Sequence, residues 1–275
     1  MKQFDVRCNL CGQNEFRILE EAEKPFRVLK CRNCGLVFVH PLPNPVGLAR
    51  HYDEKYYRAW ITEQKDQRRR MWEKRLRNLE KVVQPGYLLD IGCGDGSFLS
   101  LAKQHGWVIE GTEYSGHAAK FATERIGTHV FQGELTAAGY SGESFDVVTM
   151  WHVLEHVADP ATYLRAIHRI MKSSGLLVMA VPNVNDLVMQ AAFRLWKGKK
   201  MKLFSTEDRG IHLYHFSPVT ISQYLSKTGF RCLRLVPDYG IVEDSKKFVN
   251  WIAVLLYSLT GRKVYNAIEA WAAKN

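Results

Sequence analysis

The sequence predicts an α/β protein built on a doubly wound sheet, with a small cysteine-rich unit before the sheet and an apolar helical segment after it. Short apolar strands alternate with helical patterns from residue 85 to 237, which is typical of a doubly wound parallel sheet. One of these strands, 145–150, is largely apolar, as expected for a strand covered by helices on both faces. A glycine-rich turn, 92–96, follows the first strand of the series.

Each element of the predicted sheet follows from its residues. Strands are expected where apolar residues cluster, and helices where they recur every three or four positions. Asp159 before Pro160, and Ser217 before Pro218, are typical helix beginnings, with a capping side chain followed by proline at the first helical position. The predicted strands are 87–91, 108–112, 130–131, 145–150, 176–181 and 230–236, and the predicted helices are 98–105, 117–125, 160–171 and 218–227. The pattern gives no seventh strand.

Residues 1–40 are predicted to form a zinc ribbon. Cys8 and Cys11 form one CxxCG unit, and Cys31 and Cys34 form a second. Four thiolates close the tetrahedral shell of zinc and leave no open position for a substrate, so the metal is expected to be structural. Iron or a redox pair are the alternatives. A unit this short has little core of its own and would take its folding energy from the metal.

The segments that flank the sheet are expected to be helical. Residues 41–84 contain a proline-rich link followed by a helical linker or lid, in which Tyr52, Tyr56 and Tyr57 could cover a ligand. Residues 238–275 are predicted to be an apolar helical segment. Its apolar run is too short to cross a bilayer but could lie in the membrane interface. Three alternatives therefore remain for residues 248–272: peripheral contact with a membrane, docking on the domain, or docking on another subunit.

Charge and composition restrict the surroundings and partners. The formal net charge is +10, which favours an anionic partner such as nucleic acid, an acidic membrane or a phosphorylated substrate. The basic clusters at 68–77 and 197–202 equally fit solvated helix faces. The N-terminal residues lack the apolar core of a signal peptide, and cysteines in such a chain fit a reducing compartment. We expect a cytoplasmic protein, with membrane association left open.

The glycine-rich turn points to a nucleoside site. Gly92, Gly94 and Gly96 allow a sharp turn and a close approach of the backbone to a ligand at the next helix N-terminus. Dinucleotide-binding enzymes use a related turn. However, Asp90 places a negative charge before the turn, which disfavours a pyrophosphate and suits a positively charged group. Glu113 ends the second strand, where an acid can accept hydrogen bonds from ribose hydroxyls.

Residues 85–236 resemble a class I S-adenosylmethionine-dependent methyltransferase, which implies a Rossmann-like sheet. The segment 145–160, which includes Trp151-His152-Val153-Leu154-Glu155-His156, resembles the branch that contains the ubiquinone-biosynthesis O-methyltransferases. A CxxC…CxxC ribbon before such a domain is also similar to the deoxysugar C-methyltransferases.

The resemblance implies a role for each part of the nucleoside site. Asp90 would orient the methionyl amine of S-adenosylmethionine, and Glu113 would bind the ribose. Glu134 and Leu135 would contact the adenine edge. Trp151 and His152 would lie near the methionyl group and the transferring methyl. The complete set implied to bind the cofactor is Asp90, Gly92, Cys93, Gly94, Gly96, Glu113, Tyr114, Glu134, Leu135, Trp151 and His152.

Methyl transfer needs an aligned nucleophile and, in many cases, a base that removes its proton. Histidine suits this task near neutral pH. His212 and His215 precede a helix in a region where loops wall the acceptor pocket in the similar enzymes, and they are the preferred candidates, with His156 as the third. A metal site formed by His152, Glu155 and His156 is the alternative, since their spacing puts them on one face of a helical turn.

The sequence therefore predicts methyl transfer to an oxygen or carbon of a small-molecule acceptor, such as a sugar or a lipid-linked intermediate. RNA methylation is a rival that the ribbon and the basic charge allow. The fourth strand argues against nucleic acid, since it ends in Met150-Trp151-His152-Val153 rather than in Asn/Asp-Pro-Pro-Tyr/Phe. A non-catalytic nucleoside-binding module is the third possibility. The sequence predicts no oligomeric state.

Overall fold

The computed structural model describes residues 5–44, 65–207, 210–238, 240 and 244–275, which form two sheets. The tyrosines of the predicted lid, Tyr52, Tyr56 and Tyr57, and most of the predicted helix before residue 65 lie outside the described residues.

The smaller sheet contains the N-terminal ribbon. Its strands are β1 (Phe16–Glu21), β2 (Arg27–Cys31), β3 (Val37–His40) and β9 (Tyr214–His215), in the order β1-β2-β3-β9. All three pairings are antiparallel. The first three strands come from the ribbon, whereas β9 belongs to the larger domain. The ribbon is therefore joined to the rest of the protein by strand pairing as well as by side-chain packing.

The larger sheet has seven strands in the order β10-β11-β8-β7-β4-β5-β6. The pairings among β8, β7, β4, β5 and β6 are parallel, while β11 is antiparallel to both of its neighbours. All six predicted strands are present, which confirms the doubly wound architecture. The strands are β4 (Tyr87–Ile91), β5 (Val108–Glu113), β6 (Phe131–Gln132), β7 (Phe145–Trp151), β8 (Met171–Pro182), β10 (Phe230–Pro237) and β11 (Ala267–Lys274).

Seven α-helices lie in the described part of the chain. The Asp159 side chain accepts a hydrogen bond from the Thr162 amide, and Ser217 forms a capping box with Thr220, so both predicted helix beginnings are confirmed. The helices are α1 (Lys65–Glu80), α2 (Ser97–Gln104), α3 (Gly116–Ile126), α4 (Pro160–Ile170), α5 (Leu187–Lys197), α6 (Pro218–Lys227) and α7 (Asp244–Thr260).

The C-terminal segment differs from the predicted helix over 238–275. It is helical in α7, but its last part is the strand β11, which lies between β8 and β10. The sequence Ala-Ile-Glu-Ala-Trp-Ala-Ala-Lys favours helix by propensity, and a strand buried on both faces shows no alternation of polar and apolar residues. Pairing on both edges overrides that propensity. The sheet thus extends beyond the predicted boundary at 237.

The ribbon and the larger domain share one apolar core. Val28 and Leu36 of the ribbon belong to the same cluster of buried residues as Leu213 and Phe216. Polar contacts add to this packing, since the Asn9 side chain bonds to Asp159 and Tyr224 at 2.8 and 2.9 Å. Residues 5–40 of the predicted ribbon are therefore a fixed part of the structure.

Trp271 is the side chain of β11 whose removal should cost most. It is buried, its indole N–H donates to Glu269 at 2.7 Å, and the Arg234 guanidinium lies 3.8 Å from its ring centroid. We expect Trp271→Ala to lower the free energy of unfolding by about 3–5 kcal/mol, measured by urea denaturation. The matched control is Trp196→Ala. This tryptophan is exposed, so its loss should change the free energy of unfolding by roughly 0.5 kcal/mol or less. If both substitutions lowered the free energy of unfolding equally, the placement of β11 inside the sheet, between β8 and β10, would be contradicted.

Candidate active site

A cavity of about 390 Å³ opens at the carboxyl ends of β4, β5 and β7. Ligands of doubly wound sheets bind outside the carboxyl ends of the strands, so this is where a site is expected. Helix α1 forms one wall of the cavity, and the turn after β4 forms another. Its lining includes Asp90, Gly92, Glu113, Trp151, His152 and His156, all of them predicted site residues.

The turn after β4 requires glycine. Gly92 has φ +67°, and a Cβ atom at this position would clash with the side chain of Val153. The amides of Gly92 and Cys93 both donate to the Thr112 carbonyl, at 2.8 and 3.0 Å, which pins the turn to β5. The backbone therefore passes close to the segment after β7 and leaves space for a ligand beyond it. Gly94 and Gly96 also have positive φ angles.

Asp90 presents a buried carboxylate at the base of the cavity. It accepts a hydrogen bond of 2.7 Å from the Thr149 hydroxyl. Burial raises the pKa of Asp90 to about 7, although the Thr149 bond and the nearby Arg75 charge favour its ionised form. The Glu113 charge opposes ionisation. A cationic group in the cavity would compensate this carboxylate.

Glu113 is fixed at the end of β5 by backbone amides. Its two carboxylate oxygens accept hydrogen bonds from Gly94 and Ser115, each at 2.9 Å. A carboxylate offers about four acceptor positions, which is more than these two amides occupy. Because the two amides hold the side chain at the cavity wall, this acceptor is preorganised.

The other residues predicted to contact the cofactor lie around Glu113 or in the glycine turn after β4. Tyr114 and Glu134 are exposed at the side of the cavity. Leu135 is buried, and its amide donates at 3.4 Å to the hydroxyl of Tyr163, which also lines the cavity. Cys93 is buried, and burial raises the pKa of its thiol well above the usual range, so the thiol is neutral.

Two residues that the sequence analysis did not select support the wall beside Trp151: Arg75 lines the cavity, and Asp238 binds Arg75. The Arg75 guanidinium lies 4.2 Å from the centre of the Trp151 ring and donates to both oxygens of Asp238, at 2.9 and 2.7 Å. Both members of this ion pair are buried. Arg75 was not selected because it lies in the basic cluster at 68–77, where it resembles its neighbours. No local pattern in the sequence marks Asp238 as its partner.

His152 adopts a strained backbone conformation with φ +57°. Its ring lies between two acids, with Nε2 at 3.1 Å from Asp238 and Nδ1 at 3.5 Å from Glu155. Burial disfavours the charged ring, but the hydrogen bond to Asp238 and the negative charge of the nearby Glu155 outweigh it and raise the pKa of His152 to about 9. His152 is thus a cation at neutral pH and a poor general base.

The three candidate bases lie in a row. The ring centroids of His156 and His212 are 5.0 Å apart, and those of His212 and His215 are 6.1 Å apart. His156 lines the cavity, whereas His212 and His215 are not among its lining residues. Burial lowers the pKa of His212 to about 4 and that of His215 to about 3.

His156 has a defined orientation. Its Nδ1 lies 2.7 Å from the Ile211 carbonyl, to which it donates, and its Nε2 lies 3.9 Å from Glu155. Glu155 is buried, and in the described part of the chain its carboxylate oxygens have no hydrogen bond within 3.5 Å satisfying the usual angles. Glu155, His156 and His212 each offer a ligand atom, all within 4.8 Å of one another. A metal ion bound here would therefore be held by His212 in place of His152, which the sequence analysis had proposed as a ligand.

The four N-terminal cysteines come together as predicted. Their thiol groups lie within 4.8 Å of one another, with Cys8–Cys34 and Cys11–Cys31 sulfur distances of 3.5 Å. A tetrahedral shell with zinc–sulfur bonds of about 2.3 Å puts the sulfurs roughly 3.8 Å apart. The donor set and its spacing therefore fit a tetrahedral metal ion.

Comparison with known proteins decides the family. The family described as "Methyltransferase domain" matches residues 63–235, well over half of the chain. The chain belongs to this family. It is a class I S-adenosylmethionine-dependent methyltransferase, as the resemblance in the sequence predicted.

Curated relatives of this methyltransferase match over a shorter stretch. The ubiquinone biosynthesis O-methyltransferase of Ruegeria pomeroyi is 38% identical over 103 residues, which are 36% of this chain and 42% of that protein. The protein of the same name from Pseudomonas aeruginosa is 36% identical over 106 residues, 36% of this chain and 45% of its own length. The chain thus aligns with less than half the length of these relatives.

Solved structures show the same fold. The magnesium protoporphyrin IX methyltransferase of Synechocystis, with bound S-adenosylhomocysteine, matches with a TM-score of 0.54 and 14% identity over 84% of this chain and 94% of that chain. A methyltransferase of Archaeoglobus fulgidus that depends on S-adenosylmethionine matches with a TM-score of 0.52 and 21% identity over 75% of this chain and 94% of its own.

We expect the affinity of this methyltransferase for S-adenosylmethionine to depend on Asp90. The raised pKa of about 7 keeps the carboxyl protonated in the free protein at lower pH, whereas an ammonium ligand requires the ionised form. Affinity should therefore weaken as pH falls below 7, by up to about tenfold per pH unit, in calorimetric titrations. His152 stays charged over this range because its pKa is about 9.

Asp90→Asn should bind weakly and remove this pH dependence. Asp146→Asn is the matched control, since Asp146 contacts Lys172 away from the cavity and its loss should leave the slope unchanged. Full affinity in Asp90→Asn would show that another group meets the ammonium.

Proposed function

We propose that this methyltransferase transfers a methyl group from S-adenosylmethionine to an oxygen or carbon of a small-molecule acceptor, a sugar or a lipid-linked intermediate. The observation that carries the proposal is that Asp90, Glu113 and His156 all line the same cavity. A donor and an acceptor bound there would lie next to each other. The partial match to enzymes named for ubiquinone biosynthesis agrees with a small acceptor.

The residues around the turn after β4 fit the donor. S-adenosylmethionine would supply an electrophilic methyl group on its sulfonium. The buried Asp90 would bind the methionyl ammonium, and Glu113, already held by two amides, would accept the ribose hydroxyls. Glu134 and the amide of Leu135 would contact the adenine. The glycine turn would let the backbone, including Cys93, approach the ligand.

The other side of the cavity would hold the reacting group. Trp151 provides a flat apolar wall, fixed by Arg75 above its ring. Tyr114 would cover the ribose side from its exposed position. These side chains would exclude water and align the acceptor with the methyl group, which is most of what such a reaction requires.

We propose His156 as the base, ahead of His212 and His215. Because Nδ1 donates to the Ile211 carbonyl, the lone pair of the neutral ring lies on Nε2. Nε2 can accept the acceptor's proton, and Glu155, 3.9 Å away, would stabilise the resulting cation. His212 and His215 lie further from the cavity in a buried environment that disfavours their charged forms.

The acceptor should first be sought by incubating the enzyme with isotopically labelled S-adenosylmethionine and cell extract, followed by fractionation of the label. We expect label in small polar or lipid molecules. Label in RNA would contradict the proposed acceptor class, and the absence of any transfer despite cofactor binding would favour a non-catalytic role.

With that acceptor, we expect His156→Gln to lower kcat by about 10²–10⁴ without weakening cofactor binding, because a positioned general base is lost. His212→Gln and His215→Gln should have smaller effects, and the exposed His105→Gln is the control. If His212→Gln lowered kcat more than His156→Gln did, His212 would be the base. A bound divalent ion that disappears in Glu155→Gln would favour the metal site instead.

We propose that Cys8, Cys11, Cys31 and Cys34 bind one structural zinc ion. Four thiolates leave no coordination position for a reacting group, so the ion would stabilise the ribbon. Its binding would contribute on the order of 10 kcal/mol to folding of this unit.

Elemental analysis of the purified protein should therefore find one zinc per chain. Cys11→Ser combined with Cys34→Ser should abolish zinc binding and lower the melting temperature, and a strong chelator should do the same to the unmodified protein. Cys232→Ser, which changes a cysteine in β10, should keep the metal. An unchanged metal content in the double variant would show that the ion lies elsewhere.

A further inference from the structure

Helix α7 has two apolar faces. Asn250, Ala253 and Tyr257 are spaced three and four residues apart and face the domain, where the Tyr257 ring contacts Tyr265 at 5.2 Å. Phe248 and Trp251 face outward, with exposed fractions of 67% and 60%. A helix that only packed on the domain would have polar residues on its outer face.

The outward apolar face continues from Phe248 almost to the end of the helix. Phe248, Trp251, Leu255 and Leu259 follow one another at intervals of three, four and four residues, so they form one stripe. Leu259, at the end of the stripe, is 74% exposed. From Phe248 to Leu259 the stripe is about 16 Å long, so it is far larger than a single exposed side chain.

Helix α5 packs beside α7 and has exposed apolar side chains of its own. It has no fully buried residue, and Leu195 and Trp196 near its end are 88% and 78% exposed. A group of exposed lysines follows directly: Lys197, Lys199, Lys200 and Lys202. Two neighbouring helices thus combine large apolar side chains with a concentrated positive charge. Extended apolar surfaces of this kind mark sites of interaction.

We propose that α5 and α7 form a docking surface for an anionic lipid bilayer. Tryptophan, leucine and phenylalanine with adjacent lysines are the residues that bind the interface between headgroups and acyl chains. Each lysine near an anionic surface adds electrostatic attraction. A second copy of this chain fits the charge less well, because each copy carries a formal net charge of +10 and would bring the same lysines with it.

The structure also limits the shape of this contact. In the described residues, no helix is long and apolar enough to cross a membrane. Residues 267–272 of β11, which belonged to the segment expected to touch a membrane, are buried in the sheet. The bilayer contact is therefore confined to the outer face of α7 and the end of α5, which would lie parallel to the membrane plane.

Vesicle flotation with the full chain tests the proposal independently of catalysis. We expect the protein to float with vesicles containing phosphatidylglycerol, to float at least about tenfold less with pure phosphatidylcholine, and to lose binding as salt is raised. Trp251→Glu with Leu255→Glu should reduce flotation at least about tenfold, since two charges would enter the interface. Lys199→Glu with Lys200→Glu should have a similar effect.

The control variants carry the same kinds of substitution, apolar to glutamate and lysine to glutamate, at exposed positions outside α5 and α7. Val219→Glu alters an apolar residue that is exposed on α6, and Lys81→Glu with Lys120→Glu reverses two lysines elsewhere. These variants should float like the unmodified protein, and matching thermal unfolding curves would show that all variants fold. Equal binding to both kinds of vesicle, or full flotation of the α7 variant, would overturn the proposal. A dimer in sedimentation that Trp251→Glu dissolves, without vesicle binding, would assign the surface to a second copy instead.

Discussion

The buried ion pair between Arg75 and Asp238 joins the parts of the chain that enclose the cavity. Arg75 belongs to α1, and Asp238 follows β10, so the pair fixes the helix against the edge of the sheet. Removing one member of such a pair leaves an uncompensated buried charge, which typically costs about 3–5 kcal/mol. The same carboxylate binds His152, and the same guanidinium covers Trp151. The cavity wall beside β7 therefore depends on one pair of charges.

That ion pair depends in turn on β11. In the described part of the chain, β10 is paired only with β11, and the Asp238 amide donates to the Ala267 carbonyl at 2.9 Å. The position of Asp238 is thus set by a strand close to the C-terminal end of the chain. The sequence analysis predicted an apolar helical segment here. The alanines of this strand favour helix by propensity, and the pairing partners that decide otherwise are distant in sequence.

The residues of the proposed donor side have a clearer pattern in the sequence than those of the proposed acceptor side, for a physical reason. Asp90, the glycines and Glu113 are positioned by local geometry, a strand followed by a tight turn and the end of the next strand, which leaves a pattern in the sequence. His156, His212 and His215 are positioned by tertiary packing, and their order relative to the cavity had no local signal. The contact between Arg75 and Asp238 joins residues far apart in the chain, so residue type alone gave no sign of it.

The pairing of β3 with β9 has a consequence for how the protein is made. Val37 lies opposite His215, so the ribbon's last strand finds its partner only after about 180 more residues have been added, on the order of 10–30 s at typical synthesis rates. During that time the apolar residues that will face Leu213 and Phe216 have nothing to pack against. The newly made ribbon must keep its shape alone, or be shielded from aggregation, until the rest of the chain emerges.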